Sequence, residues 1–306
     1  MIIDSSSRRN LELVETLREK QKRGSLLWVL DKTRTAMGAR LLRTYVEQPL
    51  IEKAEIIKRQ KLIEALNANE ITRDEIREYL NPIYDLERLI TRITYQSANP
   101  RDLIAFRDSL KMLPPIKQQL SDIPCELTDE INEEFDELKD IYELLLSSIE
   151  DEPPISQRDG DIIKAGYNEE VDRLRDAKTK GKTWLAELEA GEREKTGIKN
   201  LRIKYNKVFG YYLEVTNSFK DMVPDYYVRK QTLTNAERYI TPELKELEDT
   251  ILGAEDRLTS LEYELFRDVR KQISDNVSRI QKTARAIAQI DVFASLALVA
   301  SQNNYC

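Results

Sequence analysis

The feature that most limits the fold is a long stretch without proline near the end of the chain. It opens at Thr241-Pro242, where threonine can cap a helix and proline suits the first helical position, and Gly253 alone interrupts it before about residue 300. Its apolar residues recur at alternating spacings of three and four, the pattern of a coiled-coil seam. The sequence therefore predicts one helix of roughly 90 Å. The seam consists of Leu244, Leu247, Ile251, Ala254, Leu258, Leu261 and Leu265.

A coiled-coil seam needs a partner helix, and the best candidate lies at about residues 167–194. Val171, Leu174, Leu185 and Leu188 recur there at helical spacing, together with Ala177 and Trp184. Lys178 and Gly181 stand where apolar residues belong, which weakens the middle of the seam. We expect an antiparallel pair formed by about residues 167–196 and 242–265. Beyond Leu265 the spacing becomes all fours, a stutter typical of the place where an arm joins a body.

The segment between the two helices has the period of strands. Residues 201–205 alternate apolar and polar side chains, and residues 206–210 can turn because Gly210 tolerates a positive φ. Residues 211–215 and 227–232 give a second and a third strand. An antiparallel helix pair brings the ends of this segment together, so we expect a small antiparallel sheet, the β-tip (about 197–235), at the end of the pair.

The first half of the chain reads as helices joined by short breaks. Asn99-Pro100 followed by Asp102 is a helix start, and Pro114-Pro115 is expected to close that helix. The predicted fold is mainly α, with a helical core and a long antiparallel helical arm that carries the sheet. The expected boundaries are a core over residues 1–166, an arm over 167–259, and a helix that returns into the core over 260–306.

Charge is distributed unevenly along the chain. The net charge is −7, yet residues 195–240 hold nine basic and four acidic residues, a net charge of +5. Residues 126–152 hold twelve acidic residues against Lys139, at helical spacing that predicts a solvated helix face. One face of the first strand shows Arg202, Lys204 and Asn206. A basic island in an acidic protein indicates a local anionic partner.

The sequence contains few of the residues on which enzyme catalysis usually depends. It contains no histidine, which removes the commonest general base and metal ligand, and only the two cysteines Cys125 and Cys306, which fit a reducing compartment. Residues 181–183 (GKT) resemble the end of a phosphate-binding loop, but Asp176 stands where that loop needs glycine, and a helix precedes it. Carboxylate pairs such as Glu133/Glu134 and Glu169/Glu170 are best explained as solvated surface. We expect no enzyme activity, no metal and no cofactor in this chain.

Four tyrosines lie among the basic residues and leave two readings open. They could stack against bases, or they could form the core of the small sheet, which is the commoner arrangement. No stretch approaches about eighteen apolar residues, so no membrane helix is predicted. Residues 1–4 lack the pattern of a signal peptide, and we expect a cytoplasmic protein. The tyrosines are Tyr211, Tyr212, Tyr226 and Tyr227.

Several stretches, in the right order and over nearly the whole chain, resemble the MutS family of DNA mismatch-repair proteins. Residues 30–42 look like the signature of the family's core domain, and later stretches resemble its core helices, lever and clamp. These stretches are 30–42 (LDKTRTAMGARLL), 48–50 (QPL), 84–89 (YDLERL), 99–103 (NPRDL), 166–170 (GYNEE), 210–212 (GYY), 229–233 (RKQTL) and 235–239 (NAERY).

The resemblance implies a lever whose clamp closes on the backbone of duplex DNA while a separate ATPase domain drives it. It also implies that the ATPase, with its ATP and Mg²⁺, and the mismatch-reading domain are absent from this chain. Family members act as dimers largely through the ATPase, which leaves the oligomeric state of this chain open. Residues 135–137 (FDE) match the tripeptide with which the family probes mismatches, but they lie in a strongly acidic stretch that DNA would avoid.

Positions that match the clamp supply the candidate DNA-backbone contacts. Lysine and arginine would neutralise phosphates, and Asn235, expected at a helix start, could donate its amide to one. None has a reason to read base edges. The candidates are Lys199, Arg202, Lys204, Lys207, Arg229, Lys230 and Asn235.

Binding of duplex DNA by these residues, in a protein associated with the nucleoid, is the function that the resemblance favours. The competing hypothesis is a coiled-coil interaction arm whose basic tip docks on an acidic partner, for example residues 126–152 of a neighbour. Salt-sensitive DNA binding would favour the first hypothesis, and self-association abolished by charge reversal in the acidic stretch would favour the second. An enzyme ranks last.

Overall fold

The computed structural model describes residues 3–305, and their contacts form two compact units. The first unit runs to Ile155 and resumes at Phe266, and the second is Ser156–Leu265. The boundaries predicted from the sequence, 166/167 and 259/260, lie several residues inside these. The second unit carries the β-sheet, and the first is helical.

The elements follow one another along the chain as ten shorter helices, a long helix, four strands and two long helices. They are α1 Ser5–Asn10, α2 Leu26–Leu30, α3 Ala36–Glu47, α4 Lys53–Ala68, α5 Glu70–Leu80, α6 Leu86–Thr94, α7 Pro100–Leu110, α8 Leu113–Ser121, α9 Glu126–Glu134, α10 Lys139–Ser148, α11 Glu169–Thr196, β1 Arg202–Asn206, β2 Gly210–Thr216, a 3₁₀ turn Asn217–Met222, β3 Val228–Thr232, β4 Ala236–Ile240, α12 Pro242–Ser274 and α13 Val277–Asn303.

Helix α13 is the centre of the first unit. Helices α2, α3, α4, α5, α6 and α9 all pack against it, so apolar residues are buried around most of its circumference. By length and hydropathy α13 could cross a membrane, contrary to the sequence prediction, but 72% of its most apolar window is buried inside the protein. Burial on nearly all sides explains why α13 is so apolar.

The segment that precedes α3 is fixed to α13 by two polar side chains. The Asp291 carboxylate accepts hydrogen bonds from the backbone N–H groups of Arg34 and Thr35 at 2.7–3.0 Å and from the Thr35 hydroxyl at 2.7 Å. The Ser295 hydroxyl accepts from the Lys32 N–H at 2.8 Å. A side chain at Gly38 would place its Cβ 2.3 Å from an Asp291 oxygen, so α3 can approach α13 this closely only with glycine there.

The predicted helix start at Asn99 is confirmed. Asn99 and Asp102 form a reciprocal capping box, with Asp102 N–H donating to Asn99 Oδ1 at 2.9 Å and Asn99 N–H donating to Asp102 Oδ2 at 2.8 Å. The expectation that Pro114-Pro115 closes this helix is wrong. Helix α7 already ends at Leu110, and the two prolines lie in the first turn of α8, where a missing N–H removes no helical hydrogen bond.

The acidic stretch forms two helices, α9 and α10, rather than one. Between them Phe135 and Leu138 are buried, and the Phe135 carbonyl accepts a hydrogen bond from Lys117 Nζ at 2.6 Å. The tripeptide at 135–137 therefore lies in the connection between two helices and not within a helix, with Phe135 buried and Asp136 and Glu137 partly exposed. Its aromatic ring is part of the core of the first unit.

Helices α11 and α12 form the predicted antiparallel pair. Arg175 contacts Glu262, Lys178 contacts Glu255, and Gly181 contacts Ile251. Residue numbers therefore increase along α11 as those of the contacting residues decrease along α12, which makes the two helices antiparallel. A Cβ on Gly181 would lie 2.5 Å from Ile251 Cγ1, which means that the glycine makes room for a seam residue of the partner. Trp184, predicted in the seam, is 44% exposed instead.

The prediction of one continuous helix to about residue 300 is wrong. Helix α12 ends at Ser274 and α13 begins at Val277, with Asp275 and Asn276 in a turn between them. The break falls within the predicted stutter, between Ile273 and Val277. Since both of the residues in the turn are weak helix formers, little local preference opposes the break.

The sheet has four antiparallel strands in the order β1-β2-β4-β3, one more than predicted. The turn between β1 and β2 is confirmed, with Gly210 at φ +75°. Asn235 precedes the unpredicted strand β4, so its expected place at a helix start is wrong. The helix starts later, at Pro242, where the Thr241 hydroxyl accepts from the Leu244 N–H at 3.1 Å.

Candidate nucleic-acid interface

One face of the sheet, here called the inner face, packs on the α11/α12 pair. Leu213 and Val215 of β2 and Tyr239 of β4 are buried in one cluster with Leu188 and Leu244 of the helices. Because paired residues of antiparallel strands share a face, the register assigns the remaining side chains to the inner or the opposite, outer face.

The outer face gathers three cations around one carboxylate. Arg202, Glu214 and Arg238 are partners in register across β1, β2 and β4. Lys204 donates to Glu214 Oε1 at 2.7 Å and is half exposed. Two strand spacings separate Arg202 from Arg238, about 10 Å. The outer face therefore presents a net positive charge on three neighbouring strands.

Arg238 is the outer-face cation that is most firmly positioned. Its guanidinium lies 4.4 Å from the centre of the Tyr212 ring and donates to Gln231 Oε1 at 2.8 Å. The ring and the amide fix the direction of the guanidinium before any ligand arrives. Arg238 belongs to the basic island of residues 195–240 but was not predicted as a DNA contact, because strand β4 was not predicted. Residues 236–240 (AERYI) carry no apolar–polar alternation that would have indicated the strand.

Arg229 belongs to a different cluster. In register it is paired with Tyr239, an inner-face residue, and its guanidinium lies 3.5 Å from the buried carboxylate of Glu237. Lys220 contacts the same carboxylate at 2.9 Å. Hydrogen bonds from Tyr239 and Lys220, with the charges of Lys220 and Arg229, lower the pKa of Glu237. Burial, together with the hydrogen bond to Glu237 and its charge, raises the pKa of Tyr239 to about 12.

The other candidates are exposed and lie apart from the outer-face row. Lys199 lies between α11 and β1, Lys207 in the β1–β2 turn, and Asn235 just before β4. Lys230 falls at an irregularity in the β3–β4 register, between Arg229 and Gln231. The structure therefore brings Arg202 and Lys204 together and leaves the other predicted contacts separate.

Of the four tyrosines, some pack in the sheet and one keeps a ring that could stack against a base. Tyr212 and Tyr227 are buried, Tyr211 is half buried against the core cluster, and Tyr226 is 47% exposed. The hydroxyls of Tyr226 and Tyr227 both donate to the buried carboxylate of Glu192 at 2.8 Å. Three of the four rings thus belong to the packing of the sheet, and Tyr226 keeps an accessible ring.

Glu192 ties the end of α11 to the segment before β3. Burial opposes its ionisation, but the hydrogen bonds from the two tyrosines and from Lys195 prevail and lower its pKa. Among residues 3–305, no group of three or more cysteine and carboxylate side chains is arranged to hold a metal ion. The second predicted thiol, Cys306, lies outside the described residues, and Cys125 is free.

Comparison with known proteins identifies the family. A model of the family described as MutS domain III matches residues 6–297. The DNA mismatch repair protein MutS of Lachnoclostridium phytofermentans is 67% identical over 305 residues, which are 100% of this chain and 33% of that protein. The same-named proteins of Caldanaerobacter subterraneus and Ruminiclostridium cellulolyticum are 57% and 55% identical over 100% of this chain and 35% of their own length. This chain spans about a third of the length of these relatives. It belongs to the MutS family, in the part of it described as domain III.

Proposed function

We propose that this chain is the DNA-gripping part of a mismatch-repair protein, and that the outer face of its sheet contacts the phosphate backbone of duplex DNA. The observation that carries the proposal is the row of Arg202, Glu214 and Arg238 with Lys204 beside it. Its three cations against one carboxylate leave an excess of two positive charges on an exposed surface. Family membership supports the choice of DNA as the polyanion.

Contact with the backbone fits this face better than readout of bases. Sequence is read mainly in the major groove, by an α-helix or a two-stranded ribbon that can enter it. The cations here lie on the broad face of a four-stranded sheet, which can lie along phosphates but is too wide to insert. Binding should therefore be independent of sequence and equal for matched and mismatched duplexes.

We propose further that the α11/α12 pair transmits movement between this sheet and an ATPase domain outside this chain. Support comes from the close seam at Gly181 and from the buried pair of Arg175 and Glu262, both of which stiffen the helix pair. ATP and Mg²⁺ would be held by that other domain, so we expect this chain to show no saturable ATP binding. The whole protein would act as a homodimer on nucleoid DNA in the cytoplasm.

The competing hypothesis, docking of the basic sheet on the acidic stretch of a neighbour, has less support. Several carboxylates of that stretch already have partners within the first unit. Glu126 and Glu130 contact Lys58, and Asp136 and Asp140 contact Arg279. Charge reversal in the stretch should therefore leave the oligomeric state of the chain unchanged.

Fluorescence anisotropy with a labelled duplex tests the proposal directly. A few phosphate contacts support dissociation constants of about 10⁻⁴ to 10⁻⁶ M near physiological salt, and affinity should fall steeply as salt rises. A matched duplex and a duplex with one mismatch should give the same curve. Binding that is insensitive to salt, or that requires the mismatch, would show that the outer face does not act through phosphates.

A further inference from the structure

A groove runs between α11 and α12 and is lined by α11 residues from Trp184 to Lys195 and α12 residues from Glu243 to Thr250. Its volume is about 470 Å³. Leu188 and Leu247 supply apolar lining, and no atom lies within 4 Å of the position that a Cβ on Gly191 would occupy. The missing side chain at Gly191 leaves space for a side chain from another molecule.

Trp184 makes this groove unusual among the surfaces of the helix pair. The sequence predicts it as a seam residue, yet its side chain is 44% exposed and lines the groove. An indole face attracts cations, and arginine stacks on it with particular ease because its guanidinium is planar. The exposed ring thus offers a site for a guanidinium.

The groove is lined by negative charge, which complements the positive charge of a guanidinium. Glu187, Glu243 and Glu246 line it, all three are exposed, and none of them forms an ion pair with the described residues of the chain. Lys195 also lines the groove, but it is bound to Glu192 at 3.0 Å, so its charge is already matched. Glu243 also acts on Lys195 through its charge, but three exposed carboxylates against one lysine that is already bound to Glu192 leave the groove negative. A negative groove repels a phosphate backbone and attracts a cation, which excludes DNA as its occupant.

We propose that this groove binds a segment of a partner protein that carries arginine next to an apolar side chain. The guanidinium lies on the Trp184 ring between the carboxylates, and the apolar side chain enters the space above Gly191 between Leu188 and Leu247. Since DNA is proposed to bind through the outer face of the sheet, the chain can hold DNA and such a partner through separate surfaces. The occupant is a protein segment because a bare polyamine has no side chain for the space above Gly191.

Trp184 itself provides the readout. The chain has two tryptophans, so W28F leaves Trp184 as the single tryptophan, whose emission is separated from that of the tyrosines by selective excitation. The probe is a short, blocked, alanine-based peptide with two arginines and two leucines on one helical face, compared with the same peptide in which glutamine replaces arginine. We expect a saturable change in Trp184 emission with the arginine peptide and none with the glutamine peptide.

Two matched triple variants test the charges. E187Q/E243Q/E246Q removes the groove carboxylates, and we expect binding about tenfold weaker because each exposed charge pair contributes roughly a factor of two. D176N/D256N/E264Q removes three exposed carboxylates of the same helices outside the groove and should change affinity by less than about twofold. Equal weakening by both triples would overturn the proposal, because it would reduce the effect to general attraction.

The G191L variant tests the shape of the groove. Leucine at this open helical position should not disturb folding, since it is a better helix former than glycine, and circular dichroism checks this. It should fill the groove and abolish peptide binding while leaving DNA affinity unchanged. Two results would overturn the proposal: spermidine binding as strongly as the peptide, or self-association in sedimentation that G191L abolishes, which would make a second copy the occupant.

Discussion

The first unit's buried carboxylate Asp291 and the buried carboxylates of the second unit are held in opposite ways. In the first unit Asp291 lies inside an apolar core, and its hydrogen bonds come from backbone N–H groups and a hydroxyl. It forms no ion pair with any lysine or arginine among residues 3–305, although the charge of Arg77 acts on it. In the second unit the buried carboxylates of Glu192, Glu237 and Glu262 each contact a lysine or an arginine that reaches the surface.

This difference follows from the amount of apolar surface available to each unit. Helix α13 is covered on nearly all sides, and one carboxylate and one hydroxyl fix the segment before α3. The sheet has a single apolar face, and its margins are held by ion pairs that share their cations with solvent. A unit built in the second way can present positive charge outward without losing its packing, which suits it to bind a polyanion.

The first prediction concerns the tightest contact in the first unit. G38A should lower the free energy of unfolding by about 3 kcal/mol, because a new Cβ must displace the Asp291 carboxylate from its hydrogen bonds. Urea denaturation monitored by the emission of Trp28, with Trp184 replaced by phenylalanine, measures it. The matched control is G191A, whose Cβ meets open space and should stabilise the helix by up to about 1 kcal/mol. Equal stability of the two variants would mean that α3 does not depend on this contact.

The second prediction uses the opposite pKa directions of Glu192 and Asp291. The folded-state pKa of Glu192 is lowered from an ordinary value of 4.5, so its stabilisation is present above that pH and is lost as pH falls through the folded-state value. E192Q should cost about 2 kcal/mol at pH 7, from weakened charge-assisted hydrogen bonds, and progressively less below pH 4.5. Urea denaturation monitored by Trp184 emission, with Trp28 replaced by phenylalanine, measures it.

D291N is the control, because the pH dependence of the stability that Asp291 contributes should have the opposite sign. Burial raises the pKa of Asp291 from an ordinary value of 3.8, against its hydrogen bonds, so the proton it takes up stabilises the fold fully below that value. That contribution is lost as pH rises through the folded-state pKa. The difference between wild type and D291N, monitored by Trp28, should therefore change in the opposite direction with pH. A common direction for both variants would contradict the contrast between the two units.

The parts of the fold that the sequence predicted depend on local information. The seam of α12 repeats over several turns, and the Asn99 cap is complete within four residues, so neither needs knowledge of distant contacts. Strand β4 has only five residues and precedes a strong helix start. Its conformation depends on pairing with β2 and β3, which no local pattern records.

Which of the candidate site residues share a face of the sheet could not be predicted in full, because charge does not reveal which face a residue occupies. The irregularity at Lys230 moves Gln231 to the outer face beside Arg238, whereas Arg229 stays opposite Tyr239. A slip of one residue reverses every later side chain of a strand, and sequence alone does not locate such a slip. Lys204 and Arg202 were assigned to a common face because β1 is regular.

The third prediction separates the two cationic clusters of the second unit. R202E/K204E should weaken binding to duplex DNA by about tenfold and reduce the slope of log affinity against log salt by roughly one per lost phosphate contact. R229E should have a smaller effect, because Arg229 is already bound to Glu237. The control K180E/K182E reverses two exposed lysines of α11, whose effect should stay within about twofold at physiological salt. If R229E were the more damaging change, the inner margin of the sheet would be the DNA contact.

The last and smallest effect should come from Lys207. It lies in the β1–β2 turn, five residues after Arg202 of the outer-face row, a distance of at most roughly 17 Å. Screening extends over about 8 Å at physiological salt but about 30 Å at 0.01 M, so K207Q should weaken DNA binding by less than about twofold in the first condition and by more in the second. Titrations of K207Q at both salt concentrations, alone and combined with R202E/K204E, measure this. Additive effects would show that the turn acts at a distance from the contact surface, whereas a loss at physiological salt as large as that of R202E/K204E would extend the DNA contact to the end of the hairpin.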